Sequence, residues 1–266
     1  MKSDGSPQRF TGKVAIVTGS TADPSIGRSC AIRLAREGAS VVINGRDQER
    51  LDSAAGAMRA EGFDVVGVVG SMETESAAEA LVGRAVEAFG CIDLIVSTVG
   101  GAPFPLSFDA ISEAQLLETV RINTWPTLAL IRAALTRGLA ERAGSVVTIS
   151  SGSPRKTTSA MVAYAASKAA LNAMTRTIAA DLAAKGVRVN AVSPGLVRTT
   201  ATRGAWEADA GRAAGSALPL GRLTEADDVA GAVAFLLSDD ARQITGVNLD
   251  VDGGNHLVGG GWTPIK

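Results

Sequence analysis

A chain of 266 residues, 46% of them apolar, carries enough hydrophobic material for one large α/β domain. Its 26 basic and 27 acidic side chains are mixed throughout and sum to a net charge of −1, so nucleic acid is not expected as a partner. The longest apolar runs, such as Val229 to Leu237, fall well short of the ~20 residues a membrane span needs, and no membrane partner is expected either.

Residues 1 to 10 (MKSDGSPQRF) are polar and lack a hydrophobic signal core. They read as a disordered tail before a single domain covering 11 to 266, in a protein expected to stay in the cytoplasm. Lys13 to Thr18 is a β-branched apolar run broken by Gly19, which predicts a buried strand entering a turn. Ile26 to about Glu37 predicts a helix closed by Gly38, Val41 to Asn44 a strand, and Gln48 to Glu61 a helix closed by Gly62. The alternation continues with strands at Val65 to Val69, Asp93 to Thr98, Ser145 to Ser150 and Val187 to Val192. Helices between them cover Glu75 to Phe89, Glu113 to Leu139 with Pro126 inside, and Ala160 to Lys185. Residues 196 to 217 break the rhythm with small residues, scattered charges and Trp206. An irregular stretch of that length is expected to be functional, here a lid over the substrate. A helix from Glu225 to Leu237 and a strand from Val247 to Val251 finish the pattern. Strands separated by such helices predict a doubly wound, mostly parallel sheet covered on both faces.

Two functional classes drop out early. Cys30 and Cys91 sit in apolar periodic segments without metal-ligand spacing, so they are expected to be small buried hydrophobes and no metal site is expected. His256 is the single histidine, which removes Ser/His/Asp and Cys/His hydrolase arrangements.

The first strand-to-helix turn runs from Thr18 through Gly19, Thr21, Ser25, Ile26 and Gly27 to Arg28. Glycines there let backbone approach a pyrophosphate, and the following helix offers free N–H groups and its positive end. The dinucleotide fingerprint also expects an acidic or basic side chain about 20 residues on. The second strand ends in Asn44-Gly45-Arg46-Asp47, where Gly45 empties the acidic position and Arg46 can fork onto a phosphate. This favours NADP(H) over NAD(H), while Asp47 could pair with Arg46 or take the ribose hydroxyl itself.

Tyr164 is the single tyrosine, and Lys168 follows it by four positions, which on a helix puts phenol and ammonium on one face. A nearby cation favours the phenolate and lowers a tyrosine's ordinary value near ~10, toward the range of a general acid–base catalyst. With Ser151 upstream and the glycine loop on the first strand, the chain resembles the short-chain dehydrogenase/reductase family from about Lys13 to Asn255. The resemblance rests on the Ser-x12-Tyr-x3-Lys spacing and on the tail from Gly221 through Val251-Asp252-Gly253-Gly254. It implies a Rossmann-type fold and a catalytic tetrad on Asn123, Ser151, Tyr164 and Lys168, with Tyr164 and Lys168 also touching the cofactor. Asn123 would hold a water that reconnects Lys168 to solvent. The resemblance further implies that Pro194, Gly195, Val197 and Thr199 border the nicotinamide. The substrate would be a small-molecule ketone or secondary alcohol, with a 3-oxoacyl thioester as one class. A homotetramer or homodimer is implied, built through the two long helices and the last strand.

The chain departs from the family pattern in the cofactor region. Its glycine loop is two residues longer than TGxxxGxG, and Ser25 stands where the middle glycine lies, which looks like the loop of bacterial enoyl reductases. The usual Asn-Asn-Ala-Gly after the fourth strand is Ser97-Thr98-Val99-Gly100, and the adenine-side aspartate is Ser71, followed by Met72. Backbone contacts from Ser71, Met72, Thr98, Val99 and Gly100 are still expected. Enoyl reductases place six residues between tyrosine and lysine, and the position after six intervening residues from Tyr164 is Leu171, so carbonyl chemistry is preferred over carbon–carbon double-bond reduction. The other alternative is a dinucleotide-binding regulator without turnover, supported by the altered positions. Substrate determinants are expected near Gly101 to Phe104, Gly152 to Met161 and 196 to 217. Trp206 could line the pocket or pack for its own burial, and Arg155 and Lys156 could meet an acyl-carrier or coenzyme A phosphate or be solvated. His256 and Trp262 are expected at a subunit contact.

Overall fold

A computed structural model of the protein describes residues 8–156 and 159–258. In chain order its elements are β1 (Val14–Val17), α1 (Ile26–Arg36), β2 (Ser40–Gly45), α2 (Gln48–Ala60), β3 (Val65–Val69), α3 (Glu75–Phe89), β4 (Leu94–Ser97) and α4 (Glu113–Leu135). They continue with β5 (Ser145–Ile149), α5 (Val162–Ala183), β6 (Arg188–Pro194), β7 (Val197–Arg198), α6 (Arg203–Trp206), α7 (Asp209–Ser216), β8 (Thr224–Glu225), α8 (Ala226–Leu237) and β9 (Asn248–Val251).

Side chains of a strand alternate in direction, so an unbroken apolar run buries two faces at once. In β1, Ala15 and Val17 join one apolar cluster and Ile16 the other; in β2, Val41 and Ile43 face the first and Val42 the second. The first cluster holds Leu34 of α1, Leu51 and Met58 of α2, and Val229 and Val233 of α8. The second holds Leu81 of α3, Leu130 of α4 and Leu182 of α5. The seven-stranded sheet between them is parallel throughout, in the order β3-β2-β1-β4-β5-β6-β9. This is the Rossmann-type doubly wound architecture. The order reverses between β1 and β4, and the loops leaving those two strands diverge into a crevice at the carboxyl ends, where ligands of such sheets bind.

Boundaries differ from the expectations where a glycine or a turn intervenes. α4 stops at Leu135 rather than Leu139, because Gly138 takes a left-handed φ of 97° and the N–H of Leu139 folds back onto the Ala134 carbonyl. The 196–217 stretch is not irregular: β7 pairs with β8 in a separate two-stranded sheet, a 3-10 turn covers Thr200–Thr202, and α6 and α7 follow. Residues 8–10, expected within a disordered tail, are placed against the domain. Phe10 is buried, its N–H donates to the Glu37 carbonyl, and Arg9 pairs with the Glu37 carboxylate. Residues 1–7, and Trp262 with its expected subunit contact, lie outside the described residues. No described helix is long and apolar enough to cross a membrane.

Candidate active site

The glycine loop is shaped by close approaches that only small residues permit. A Cβ on Gly27 would lie 2.5 Å from the Gly19 carbonyl oxygen, so the first turn of α1 packs directly on the turn that leaves β1. Gly19 takes φ 60°, and a Cβ there would lie 2.6 Å from Thr98 Oγ1. Ser20 staples the loop between strands: its Oγ donates to the Val17 carbonyl at 2.9 Å, and its N–H to that of Asn44 at 3.0 Å. Ser25, at the position of the missing middle glycine, is the N-cap of α1, its Oγ accepting from the Arg28 N–H at 3.1 Å. Ile26 and Gly27 open the helix, where backbone N–H groups have no intrahelical acceptor and the positive end would favour an anion. This cradle fits a pyrophosphate.

The replaced positions after β4 have structural partners. Thr98 donates its Oγ1 to the Thr18 carbonyl at 2.5 Å and its N–H to Thr18 Oγ1 at 3.0 Å, tying the end of β4 to that of β1. Ser97 Oγ shares a hydrogen with Thr127 Oγ1 of α4 at 2.7 Å. Val99 packs on the second core cluster. Gly100, with φ 144°, runs beside Asn123, and a Cβ there would also lie 3.3 Å from Lys168 Nζ.

The four expected catalytic residues converge on the mouth of this crevice from three elements. Ser151 follows β5, and its loop is held to β6 by the Gly152 N–H donating to the Pro194 carbonyl at 3.0 Å. Ser151 Oγ accepts from the Ser153 N–H at 3.1 Å and donates to Ser153 Oγ at 3.0 Å, a local hydroxyl turn that orients it. Ser153 was not singled out from the sequence, although a serine two residues past another is the signal for that turn. Tyr164 and Lys168 stand one turn apart on α5, with the ammonium 5.8 Å from the phenol ring centroid. Lys168 is 3% exposed and donates to the Ile149 carbonyl at 2.9 Å.

Electrostatics here differ from the expectation. Burial pushes the Tyr164 phenol up, partly offset by a hydrogen bond with Ser151. Burial instead pushes the Lys168 ammonium down to about 8. Asn123 is engaged with the loop after β4: its Nδ2 donates to the Gly101 and Thr119 carbonyls, both at 2.8 Å, and its Oδ1 accepts from the Gly101 N–H at 3.0 Å. Its side chain braces that loop.

Around this centre, Gly195 packs against Asp252, where a Cβ would lie 3.0 Å from that of Asp252. Val197 and Thr199 are buried. Trp206 is held by its Nε1 donating to the Thr199 carbonyl at 3.0 Å, beneath the Arg198 guanidinium at 5.5 Å from the ring. At the far end of the crevice Arg46 is exposed, and a Cβ on Gly45 would lie 2.8 Å from Thr21 Oγ1. Asp47 caps α2, accepting from the Arg50 N–H at 2.9 Å. Ser71 donates to Glu73 at 3.0 Å, and the Met72 side chain is buried in the second core cluster, so only its backbone is left for a ligand.

The basic pair beside Ser151 is tied to the tail: Arg155 pairs with Asp250, and Lys156 Nζ donates to the Asn255 carbonyl at 3.2 Å. Asp250, Asp252 and His256 bring their ligand atoms within 4.8 Å of one another. Arg155 neutralises Asp250 there, and Asp252 accepts from the N–H groups of Gly254 and His256, both at 2.9 Å.

The family model described as enoyl-(acyl carrier protein) reductase matches residues 19–256. Dehydrogenase/reductase SDR family member 4 of Homo sapiens is 36% identical over 257 residues, spanning 96% of this chain and 92% of its own. A short-chain type dehydrogenase/reductase from Mycobacterium ulcerans superposes with a TM-score of 0.88 at 29% identity, over 93% of this chain and 91% of that one. A 7α-hydroxysteroid dehydrogenase, solved with NADH and 7-oxo glycochenodeoxycholic acid, superposes with a TM-score of 0.87 at 29% identity, over 93% and 95% of the two chains.

Proposed function

The chain belongs to the short-chain dehydrogenase/reductase family, and from that premise we propose that it is an NAD(P)(H)-dependent oxidoreductase interconverting a ketone and a secondary alcohol. The observation that carries the reading is the convergence of Ser151, Tyr164 and Lys168 on the crevice beside the glycine loop. The cradle of Gly19, Ser25, Ile26 and Gly27 would hold the pyrophosphate, and Thr98, Val99, Gly100, Pro194, Gly195, Val197 and Thr199 the nicotinamide end. Bound nicotinamide supplies or accepts the hydride.

The protein's own residues handle the proton and the developing charge. With substrate bound, the Ser151 hydroxyl would turn from Ser153 to donate to the substrate oxygen beside that of Tyr164, and donors preorganised toward developing negative charge contribute roughly 3 to 4 kcal/mol each. Tyr164 delivers the proton in reduction and takes it in oxidation. Its raised value keeps it an acid through neutral pH, which suits reduction. Lys168 stabilises the phenolate that remains, and Asn123 positions the loop at Gly100 and Gly101. The four-residue spacing of Tyr164 and Lys168 favours carbonyl over carbon–carbon double-bond reduction. A regulator without turnover loses its support, since Ser97 and Thr98 brace the strand ends.

NADP(H) is the favoured cofactor in this reading, with Arg46 facing a 2′-phosphate and Asp47 engaged at the α2 cap. A homotetramer or homodimer through α4, α5 and β9 also belongs to it, supported by exposed Leu117 and Val162 and by the edge position of β9. The test follows NADPH absorbance with a panel of ketones that includes 3-oxoacyl thioesters and a 7-oxo bile acid. Tyr164→Phe is expected to bind NADPH normally and to lose carbonyl reduction at least about a hundredfold. A variant with near-wild-type turnover contradicts the assignment.

A further inference from the structure

Two loops that flank the crevice are joined across its mouth. The N–H of Thr200 donates to the Pro24 carbonyl at 2.9 Å, and Thr200 Oγ1 donates to the Asp23 carbonyl at 3.0 Å. Asp23 and Pro24 form the exposed tip of the lengthened glycine loop. Thr200 opens the 3-10 turn at the head of the 197–217 segment.

Every other tie of that turn runs back to its own segment or to β8. Val197 pairs with Thr224 across the β7–β8 ladder, Thr202 Oγ1 donates to the Val197 carbonyl at 2.5 Å, and Arg198 reaches Glu225 at 3.3 Å. Trp206 is fastened to Thr199 in the same way. Thr200 alone among these residues carries bonds to the loop that opens α1.

We propose that Thr200 is a positioning residue for the dinucleotide-dependent reaction, clasping the glycine loop to the head of the 197–217 segment so that ordering one orders the other. The inference rests on the reading of the glycine loop as a dinucleotide site. Its physical content is linkage: cofactor binding that fixes the loop fixes the segment covering the substrate, and a held segment in turn tightens cofactor binding by the same factor.

Three substitutions separate the bonds. Thr200→Ser keeps both donors, Thr200→Val keeps only the backbone N–H, and Thr200→Pro removes both. Proline is locally compatible: position 200 is the first of a helical turn, and Thr199 before it is extended at φ −136° and ψ 166°. The readouts are NADPH affinity by fluorescence titration and trypsin cleavage after the exposed Arg203, with and without saturating NADPH. In the wild type and in Thr200→Ser, NADPH is expected to slow cleavage about tenfold. Thr200→Val should show a smaller effect. Thr200→Pro should bind NADPH about tenfold more weakly and, once saturated, be cleaved as fast as without it.

Should Thr200→Pro fail to fold, Thr200→Val carries the test, its melting temperature being compared with that of the wild type. Wild-type affinity and full protection in Thr200→Pro, or in Thr200→Val where that carries the test, overturn the clasp alone. A wild-type protein that binds neither NADPH nor NADH overturns the dinucleotide reading and the clasp with it.

Discussion

Lys168 is where function and stability oppose each other most directly. Its ammonium is buried with the Ile149 carbonyl as its hydrogen-bond acceptor, and burial takes its pKa from 10.5 to about 8. The folded protein therefore holds this proton less tightly than the unfolded chain does. Between pH 8 and 10.5 the unfolded chain binds more protons, and stability rises with pH through that window. The shift corresponds to an unfavourable contribution of about 3 kcal/mol, fully present below pH 8. Lys168→Met removes it and also removes the bond to Ile149, so a net gain of about 1–2 kcal/mol is expected at pH 7, or roughly 2–6 °C in melting temperature. The gain should shrink above pH 8, while carbonyl reduction falls at least about a hundredfold. A melting series of the cofactor-free proteins from pH 7 to 10 checks this; a variant less stable at every pH contradicts it. The spacing of Tyr164 and Lys168 was legible in the sequence, because it is set by helix geometry. The depth at which the pair lies was not, because it depends on β5 and α4 closing over α5, and depth is what sets both proton affinities.

At the scale of elements, the end of β2 and the glycine loop act together. Thr21 fills the space that a side chain at position 45 would need, with its Oγ1 2.8 Å from that point. An acidic residue there, which would receive a ribose hydroxyl, would collide with the Thr21 side chain, and exposed Arg46 is the basic group that follows that position. NADPH is therefore expected to bind at least about tenfold more tightly than NADH, a preference that Arg46→Ala should abolish while leaving NADH affinity within about twofold. Gly45→Asp should not invert the preference unless Thr21 is shortened to Ala. Fluorescence titration of the four proteins decides the matter, and equal affinities in the wild type would remove the reading. The glycine loop was legible as a motif, as were the strands and the helices closed by Gly38 and Gly62, since periodicity and left-handed glycines are local signals. Two-residue strands such as β7 and β8 carry no period to read. α6 and α7 are short and built mostly from small residues and charges, with no run of large apolar side chains to announce a helix. The contact between Thr21 and Gly45 joins positions 24 residues apart, and nothing local announces it.

Across the whole molecule, the proposed chemistry sits at the carboxyl ends of the strands, while an ionic cluster anchors the opposite end. The Glu37 carboxylate, at the C-terminal end of α1, is fully buried between Arg9 and Arg33. Arg9 also reaches Asp240 beyond α8 at 3.7 Å, so the cluster ties the N-terminal segment, α1 and the turn after α8 into one body. No local signal announces this cluster, since Arg9 lies in a stretch whose polarity reads as tail. Burial pushes the Glu37 carboxyl up, but the hydrogen bonds from Arg9 and Arg33 outweigh it and hold the pKa below 4.5. A carboxylate with a depressed folded-state pKa contributes stability above its unfolded value and loses that contribution as pH falls through the folded one. Glu37→Gln leaves two guanidinium groups facing a neutral amide, and breaking such a buried pair is expected to destabilise the protein by about 3 kcal/mol at pH 7. The difference from the wild type should hold down to about pH 5 and narrow as the pH drops further, where the wild type itself protonates. Urea unfolding at pH 7, 5, 4 and 3 measures this. Because the cluster lies at the other end of β2 from Arg46 and the glycine loop, the folded variant should bind NADPH within about twofold of the wild type at 25 °C. A large loss of cofactor affinity would show that the two ends of the sheet are energetically coupled, and a stability difference that grows toward low pH would contradict the role given to the Glu37 carboxylate.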